Sequence, residues 1–309
     1  MQKEKPVVAV IMSTYNGERY LEEQIDSILA QVGVHVELYV RDDGSRDKTK
    51  DILSKYAAEH SNIHVQYGEN MGYRKSFITT LLSVPAFKYY AFSDQDDYWE
   101  KEKLISAVTK ISDIDTDGVP VVYYSNLNIC DEHLKAYRKT GLEKRKKTLV
   151  SILLRLSVAG CTMMMNSVLR DSIKSKTLSF DSYRYGHDGL VLSLCYALGG
   201  KIICDENAYI RYRQHGDNTS GGTNGIWQRL SKERNAFLAG KGKQTGYAGN
   251  MLLNWGEEIT KESKKTLEEV AGCQKSFRNR LKIIFSPRYT TGNWKLDLLG
   301  KFKILLGYF

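Results

Sequence analysis

No stretch of this 309-residue chain approaches the ~20 consecutive apolar residues that cross a bilayer. The first apolar run, "VVAVIM", is short and β-branched, so it does not read as a secretory signal. Both absences point to a cytoplasmic protein. The five cysteines, Cys130, Cys161, Cys195, Cys204 and Cys273, are widely spaced and form no CxxC pair. That argues against a disulfide framework or a zinc site and for reduced packing residues. Internal repeats and low-complexity segments are missing too. So are Gly-x-x-x-x-Gly-Lys-Ser/Thr and Gly-x-Gly-x-x-Gly, so a nucleotide site here is neither a P-loop nor a dinucleotide fingerprint.

What is there begins with an ordinary balance, 42% hydrophobic and 26% charged residues, in a length that suits one large domain or two small ones. Tyrosines number 20 against 9 phenylalanines; tyrosine suits clefts with one apolar and one polar side. The net charge is +9, nearly all of it in the last third. From Lys275 onward, Lys275, Arg278, Arg280, Lys282, Arg288, Lys295, Lys301 and Lys303 face Asp297 alone, interleaved with apolar groups that include Trp294, Phe302, Tyr308 and Phe309. Nucleic-acid binding fits the charge, but no nucleic-acid motif accompanies it. A solvated helical face is the plain alternative. The aromatic and aliphatic content favours a membrane surface.

The first hundred residues alternate strand and helix. "VVAVIMS", "HVELYVR", "NIHVQY" and "KYYAFS" read as strands, separated by helices such as "RYLEEQIDSILAQ", where Leu21, Ile25, Ile28 and Leu29 share a face. The second helix has Ser45 or Asp47 as candidate N-cap. Such a βαβ series predicts a parallel sheet, with ligands at the carboxyl ends of the strands. Polar groups fall at those ends: Thr14 and Tyr15, Asp42 and Asp43, Gly72, then Asp94, Asp96 and Asp97. Beyond Trp99 the chain reads as further strands and helices, with a helix after "GHDG" that ends at two glycines, and basic helices from Ile226. The expected divisions are residues 1–100, 101–222 and 223–309.

"SDQDDYW" sets three carboxylates within four residues. Such a cluster is either a solvated turn, with Asp94 capping the next helix, or a hard-cation site. Mg²⁺ and Mn²⁺ take carboxylate oxygens together with substrate phosphate. One carboxylate of Asp-x-Asp would face the metal and the other a ribose. The context of four polar strand ends favours the cation. The ring of Tyr15 is suited to stacking on a base.

"VIMSTYNGERYLEEQIDSILAQ", "RDDGSRDKT", "NMGYRKSF" and "SDQDDYW" resemble, in order and spacing, the signature blocks of the family 2 glycosyltransferases. The resemblance runs over about residues 7–220. It implies an α/β GT-A fold: a Rossmann-like, mainly parallel central sheet flanked by helices, here with a C-terminal helical extension. "SDQDDYW", "HDGLVLSLCYALGG" and "YRQHGDN" are most similar to bacterial rhamnosyltransferases of cell-wall, capsule and O-antigen assembly. The resemblance implies that Thr14, Tyr15 and Asp43 line a pyrimidine and ribose pocket, with Glu18 and Asp42 nearby. Gly72 would admit the nucleotide and Lys75 face it. Asp94, Gln95 and Asp96 form the Asp-x-Asp motif, with Asp96 the metal ligand, Asp94 toward the ribose and Asp97 behind the site or facing the sugar. Asp188, at the start of a helix, would be the catalytic base. His215 would bind metal or phosphate, and Arg211 and Arg213 would neutralise diphosphate. Two departures stand out. Ser125-Asn126 replaces the Ser-Asp of many relatives, and the Gln-x-x-Arg-Trp of processive synthases is absent.

The resulting expectation is an inverting glycosyltransferase using Mg²⁺ or Mn²⁺. It would move L-rhamnose from dTDP-β-L-rhamnose to a lipid-linked glycan, with the basic C-terminal region held peripherally on the cytoplasmic face of the inner membrane and no nucleic-acid partner. Three rivals are a UDP-hexose or UDP-N-acetylhexosamine donor, a non-catalytic relic of the fold that binds glycan or partner enzymes, and a sugar nucleotidyltransferase. For the last, "STYNGERY" is a poor match.

Overall fold

The computed structural model describes residues 4–114, 118–154, 158–176, 186–216 and 243–308. The first part of the basic helical region expected from Ile226, and Phe309, lie outside the described residues. The chain divides into two compact units. One comprises Met1–Glu143, Val158–Ser175 and Lys201–His215; the other comprises Lys144–Ser157, Lys176–Gly200 and Gly216–Phe309.

The first unit is built on a nine-stranded sheet. Its elements in chain order are β1 (Val7–Thr14), α1 (Leu21–Leu29), β2 (His35–Asp42), α2 (Thr49–Glu59), β3 (Ile63–Tyr67), α3 (Tyr73–Ser83), β4 (Tyr89–Ser93), β5 (Tyr98–Trp99), α4 (Lys103–Ser112), β6 (Val121–Cys130), β7 (Ala136–Lys139), β8 (Met163–Asn166), α6 (Ser167–Lys174) and β9 (Lys201–Arg213); α5 (Leu149–Leu154) falls in the second unit. The strand order is β3-β2-β1-β4-β8-β6-β9-β5, with β7 beside β6. The first four strands pair in parallel, as the βαβ series requires. β6 and β9 also run parallel, whereas β8, β7 and β5 pair antiparallel with their neighbours.

β1 is an almost continuous apolar run because both of its faces are covered. Leu21, Ile25 and Ile28 of α1 are fully buried in the same core as Val8, Val10, Leu38 and Val40. Register then sets the site. Thr14 pairs with Asp42, Asp42 with Tyr67, and Met12 with Ser93, so the polar residues following three strands emerge along one edge.

Two helix starts differ from the sequence expectation. α2 begins at Thr49, so neither Ser45 nor Asp47 is its N-cap. Ser45 instead turns to Asp42 and Asn16, while Asp47 Oδ1 accepts from Thr49 N at 3.0 Å. α4 begins at Lys103 without a side-chain cap, so Asp94 does not cap it. Between them lies β5, recruited by antiparallel pairing of Tyr98 with Arg211.

The second unit is helical: α5, α7 (His187–Ala197), α8 (Lys243–Trp255), α9 (Lys261–Ala271), α10 (Phe277–Phe285) and α11 (Trp294–Leu305). Its core includes Leu149, Leu190, Leu194, Tyr247, Trp255, Leu267 and Ile304. The two glycines end α7 as expected: Gly199 takes φ +76°, and Gly200 N donates to Cys195 O at 2.8 Å. Among the described residues no helix is long and apolar enough to cross a membrane.

Candidate functional site

The loop after β1 is held from three sides. Tyr15 N donates to Gln95 Oε1 at 2.8 Å, and Gln95 Nε2 donates back to Tyr15 O at 3.1 Å. This two-point clasp joins the first strand end to the Asp-x-Asp motif. It also accounts for Gly17, where a Cβ would stand 2.5 Å from Gln95 Oε1. Asn16 N donates to Ser45 Oγ at 2.9 Å. Glu18 closes the third side: its N donates to Asp47 Oδ2 at 3.1 Å and its Oε2 accepts from Lys48 N at 2.9 Å. The Tyr15 ring stays 46% exposed at the centre of this bracing, free to stack on a planar ligand.

Asp42 and Asp43 are both buried. Asp42 accepts from Thr14 Oγ1 at 3.2 Å, from Ser45 N at 3.0 Å and from Ser45 Oγ. Asp43 is held by the Arg41 guanidinium and accepts from Met71 N and Gly72 N, each at 2.9 Å. Asp43 therefore pins the third loop to the second, while Asp42 ties the second loop to the end of β1. Arg41, which the sequence reading passed over, is the counter-ion that makes burial of Asp43 affordable. Gly72 takes φ +82° and ψ 142° with open space where a Cβ would be, so it is the backbone and not crowding that requires glycine there. Lys75, in the first turn of α3, is exposed.

The acidic motif separates into an accessible and a buried part. Asp94, Gln95 and Asp96 are half-buried. Asp96 Oδ2 lies 2.8 Å from His215 Nε2, so the two residues expected to bind metal meet at one point. Asp97 is fully buried, which removes it from any sugar-facing position. Burial, together with Asp96 and Asp94, pushes its carboxyl well above the usual range. Its Oδ1 accepts from Arg213 N at 3.2 Å, and it hydrogen-bonds to Cys161. Burial likewise pushes the Cys161 thiol well up. Beside them Lys103 is buried with Nζ 3.5 Å from the centre of the Trp99 ring, and burial lowers it to about 7. Nothing in the local sequence pattern marked Cys161 or Lys103 as neighbours of this motif.

Arg213 is a framework residue here, not an open phosphate ligand. Its Nε donates to Asp96 O at 2.9 Å, its other nitrogens reach Glu132 O and Glu23, and it stacks 4.3 Å from the Tyr20 ring centre. Arg211 Nε pairs with Glu100 Oε1 at 2.8 Å. Asn126, at the departure from Ser-Asp, is fully buried and saturated. Its Nδ2 donates to Glu143 Oε2 (2.8 Å) and Glu206 O (2.9 Å), and its Oδ1 accepts from Thr140 Oγ1 (2.8 Å) and Leu142 N (2.9 Å).

Among the described residues, two groupings could hold a cation. Asp94, Asp97 and Cys161 each bring one ligand atom within 4.8 Å of the others, but a thiol kept protonated by burial is a poor ligand for a hard cation. Asp96 and His215 offer a carboxylate and an imidazole at a partly accessible point, a donor set that fits Mn²⁺ or Mg²⁺ better.

In the second unit, Asp188 is half-buried in the first turn of α7, not at its N-cap, which is Gly186. Gly189 N donates to its Oδ1 at 2.7 Å. The neighbouring His187 is buried, and burial lowers its imidazole to about 4 while Asp188 pulls it up.

The model of glycosyl transferase family 2 matches residues 9–173, more than half of the chain. The dTDP-rhamnosyl transferase RfbG of Shigella flexneri is 26% identical over 242 residues, 73% of this chain and 80% of that protein. Among solved structures, S. aureus TarS in complex with UDP-GlcNAc aligns with a TM-score of 0.56 at 19% identity, over 98% of this chain and 91% of that one. The mannosyltransferase PcManGT of Pyrobaculum calidifontis, in complex with GDP-Man and Mn²⁺, aligns with a TM-score of 0.50 at 16% identity, over 98% and 88%. At such identities the structural likeness speaks for the fold. The family match spans the strand ends that carry Thr14, Asp42 and the Asp-x-Asp motif, and the chain belongs to glycosyl transferase family 2, with its GT-A fold.

Proposed function

We propose that the protein is a metal-dependent inverting glycosyltransferase of bacterial surface-polysaccharide synthesis. It moves L-rhamnose from dTDP-β-L-rhamnose to a hydroxyl of a lipid-linked glycan at the cytoplasmic face of the membrane. The observation that carries the reading is the meeting of Asp96 and His215 beside the strand ends that bear Thr14, Tyr15, Asp42 and Asp43. The rhamnosyl donor is drawn from the likeness to the Shigella flexneri transferase and from "SDQDDYW", "HDGLVLSLCYALGG" and "YRQHGDN".

In this reading the base stacks on Tyr15, and the pocket walled by Thr14, Glu18, Asp42, Asp43 and Gly72 takes the nucleoside. Asp94 turns to the ribose, Gln95 holds the Tyr15 loop in place, and Lys75 faces the phosphates. Asp97 stays behind the site and supports the motif from the core. Asp96 and His215 would hold Mg²⁺ or Mn²⁺, which would supply positive charge against the departing diphosphate. The acceptor hydroxyl oxygen attacks the anomeric carbon, the bond from that carbon to the diphosphate oxygen breaks, and the hydroxyl proton passes to Asp188. The products are the inverted glycoside and dTDP.

Calorimetry tests the proposal. Titrations of dTDP-rhamnose, dTDP, UDP-glucose and UDP are made with Mg²⁺ or Mn²⁺, then with EDTA, on the native protein and on Asp96→Ala. Metal-dependent binding that prefers dTDP-rhamnose, and that falls by about tenfold or more in Asp96→Ala, is the expected result. Preference for a UDP-sugar moves the donor and keeps the chemistry. Absence of binding under every condition points to a non-catalytic relic and overturns the proposal.

A further inference from the structure

We infer that α10 and α11 form a docking surface for anionic lipid, inserting aromatic and leucine side chains between the headgroups. The inference does not depend on the glycosyl-transfer reading, although the two agree. Its first ground is where the exposed apolar residues lie. Among the described residues, every exposed Phe and Trp falls between Phe277 and Phe302. On α11, Trp294 (71% exposed), Leu298 (63%) and Phe302 (51%) recur every four residues, and Leu305 carries the stripe on. Buried Gly300 and Ile304 mark the opposite face, so this helix has an inner apolar contact and a second apolar stripe turned to solvent. On α10, Phe277 and Phe285 are exposed at the two ends of the helix, the latter at 79%.

The two helices are tied together, so neither stripe is a frayed end. Arg280 Nη1 donates to Leu305 O at 3.3 Å, and Gln274 Nε2 donates to Gly307 O at 3.2 Å. Thr290 Oγ1, Thr291 N and Thr291 Oγ1 all donate to Asp297, at 2.6, 2.6 and 2.7 Å.

The second ground is charge, and it selects the occupant. Lys275, Arg278, Lys282 and Lys295 are exposed around these stripes. Asp297 is the one acidic residue from Lys275 to the end of the chain, and its carboxylate is taken up by the threonines. A second copy of this chain would bring the same positive field against itself. A nucleic acid would meet the cations but would leave Leu298, Leu299, Leu305 and Leu306 with no base to stack on. A bilayer with anionic headgroups satisfies both features: lysine and arginine at the phosphates, Phe, Trp and Leu at the acyl boundary.

The test is sedimentation of the full chain with phosphatidylcholine vesicles and with phosphatidylcholine–phosphatidylglycerol vesicles. Two variants are compared, Phe285→Ser with Trp294→Ser and Arg278→Glu with Lys282→Glu. All four positions are exposed, and circular dichroism checks the fold of each variant. The expected result is binding to the anionic vesicles only, reversal by salt, and a loss of about tenfold or more in each variant. No vesicle binding, equal binding to both compositions, or binding unchanged in both variants would overturn the inference. So would duplex DNA binding or self-association at this surface without vesicle binding. Donor calorimetry on the same variants should be unchanged, so failure here is separable from failure of the glycosyltransferase reading.

Discussion

Burial makes His187 a liability in acid. In the folded chain its imidazole titrates near 4 against an ordinary 6.5, so between those values the unfolded chain binds a proton that the folded chain refuses. Stability from this residue is intact above about pH 6.5 and drains away as the pH falls toward 4. The loss reaches about 3 kcal/mol at pH 4. His187→Gln removes the titration. Urea unfolding at pH 7 and pH 4 should show the native protein losing about 3 kcal/mol more than the variant; equal losses would refute the assignment. Sequence alone exposed such residues unevenly. Asp94 to Asp97 announced themselves by charge density, but the split into accessible Asp96 and buried Asp97 depends on Cys161 and Arg213, each far away along the chain. Arg213 looked like a phosphate ligand for the same reason: a guanidinium in a polar stretch gives no sign that Glu23, Glu132 and Tyr20 will surround it.

At the scale of elements, the site depends on loops locked to one another more than on any single helix end. The clasp from Gly72 N to Asp43 requires a backbone conformation that is nearly exclusive to glycine. Gly72→Ala meets no neighbouring atom, so its whole cost is conformational, about 2 kcal/mol. Chemical denaturation should read that cost, and the donor KM should rise as the third loop loosens. A stability change within about 0.5 kcal/mol would show that the turn tolerates a side chain. β1 to β4 were legible because each is an apolar run of strand length followed by turn residues, and α1 because its apolar spacing is helical. β5 and β7 were not. Each is short, and each owes its extension to a partner strand, β9 for one and β6 for the other, whose position no local pattern encodes.

At the scale of the molecule, the proposed donor residues, from Thr14 to Asp97 with His215, all belong to one compact unit, and Asp188 belongs to the other. Replacing Asp188 should therefore spare the donor and stop the transfer. Asp188→Asn is expected to bind nucleotide sugar as the native protein does while turnover falls by at least about a hundredfold. Near-native turnover would remove Asp188 as the base. The basic excess could be counted in the sequence, but its exposure beside exposed aromatics needed the packing of α10 on α11.

Asn126 carries a consequence for the loop it holds. Its carboxamide gives two hydrogen bonds and receives two, and one of the receivers is the carboxylate of Glu143. An aspartate at that place would set a buried carboxylate against the half-buried Glu143 and leave Glu206 O without its donor. Asn126 and Glu143 are thus coupled: Asn126→Asp should destabilise the fold, and Glu143→Gln beside it should recover part of the loss, as chemical denaturation of the single and double variants would read. The amide therefore fixes the loop from Thr140 to Glu143, which hangs on it by three of its four hydrogen bonds.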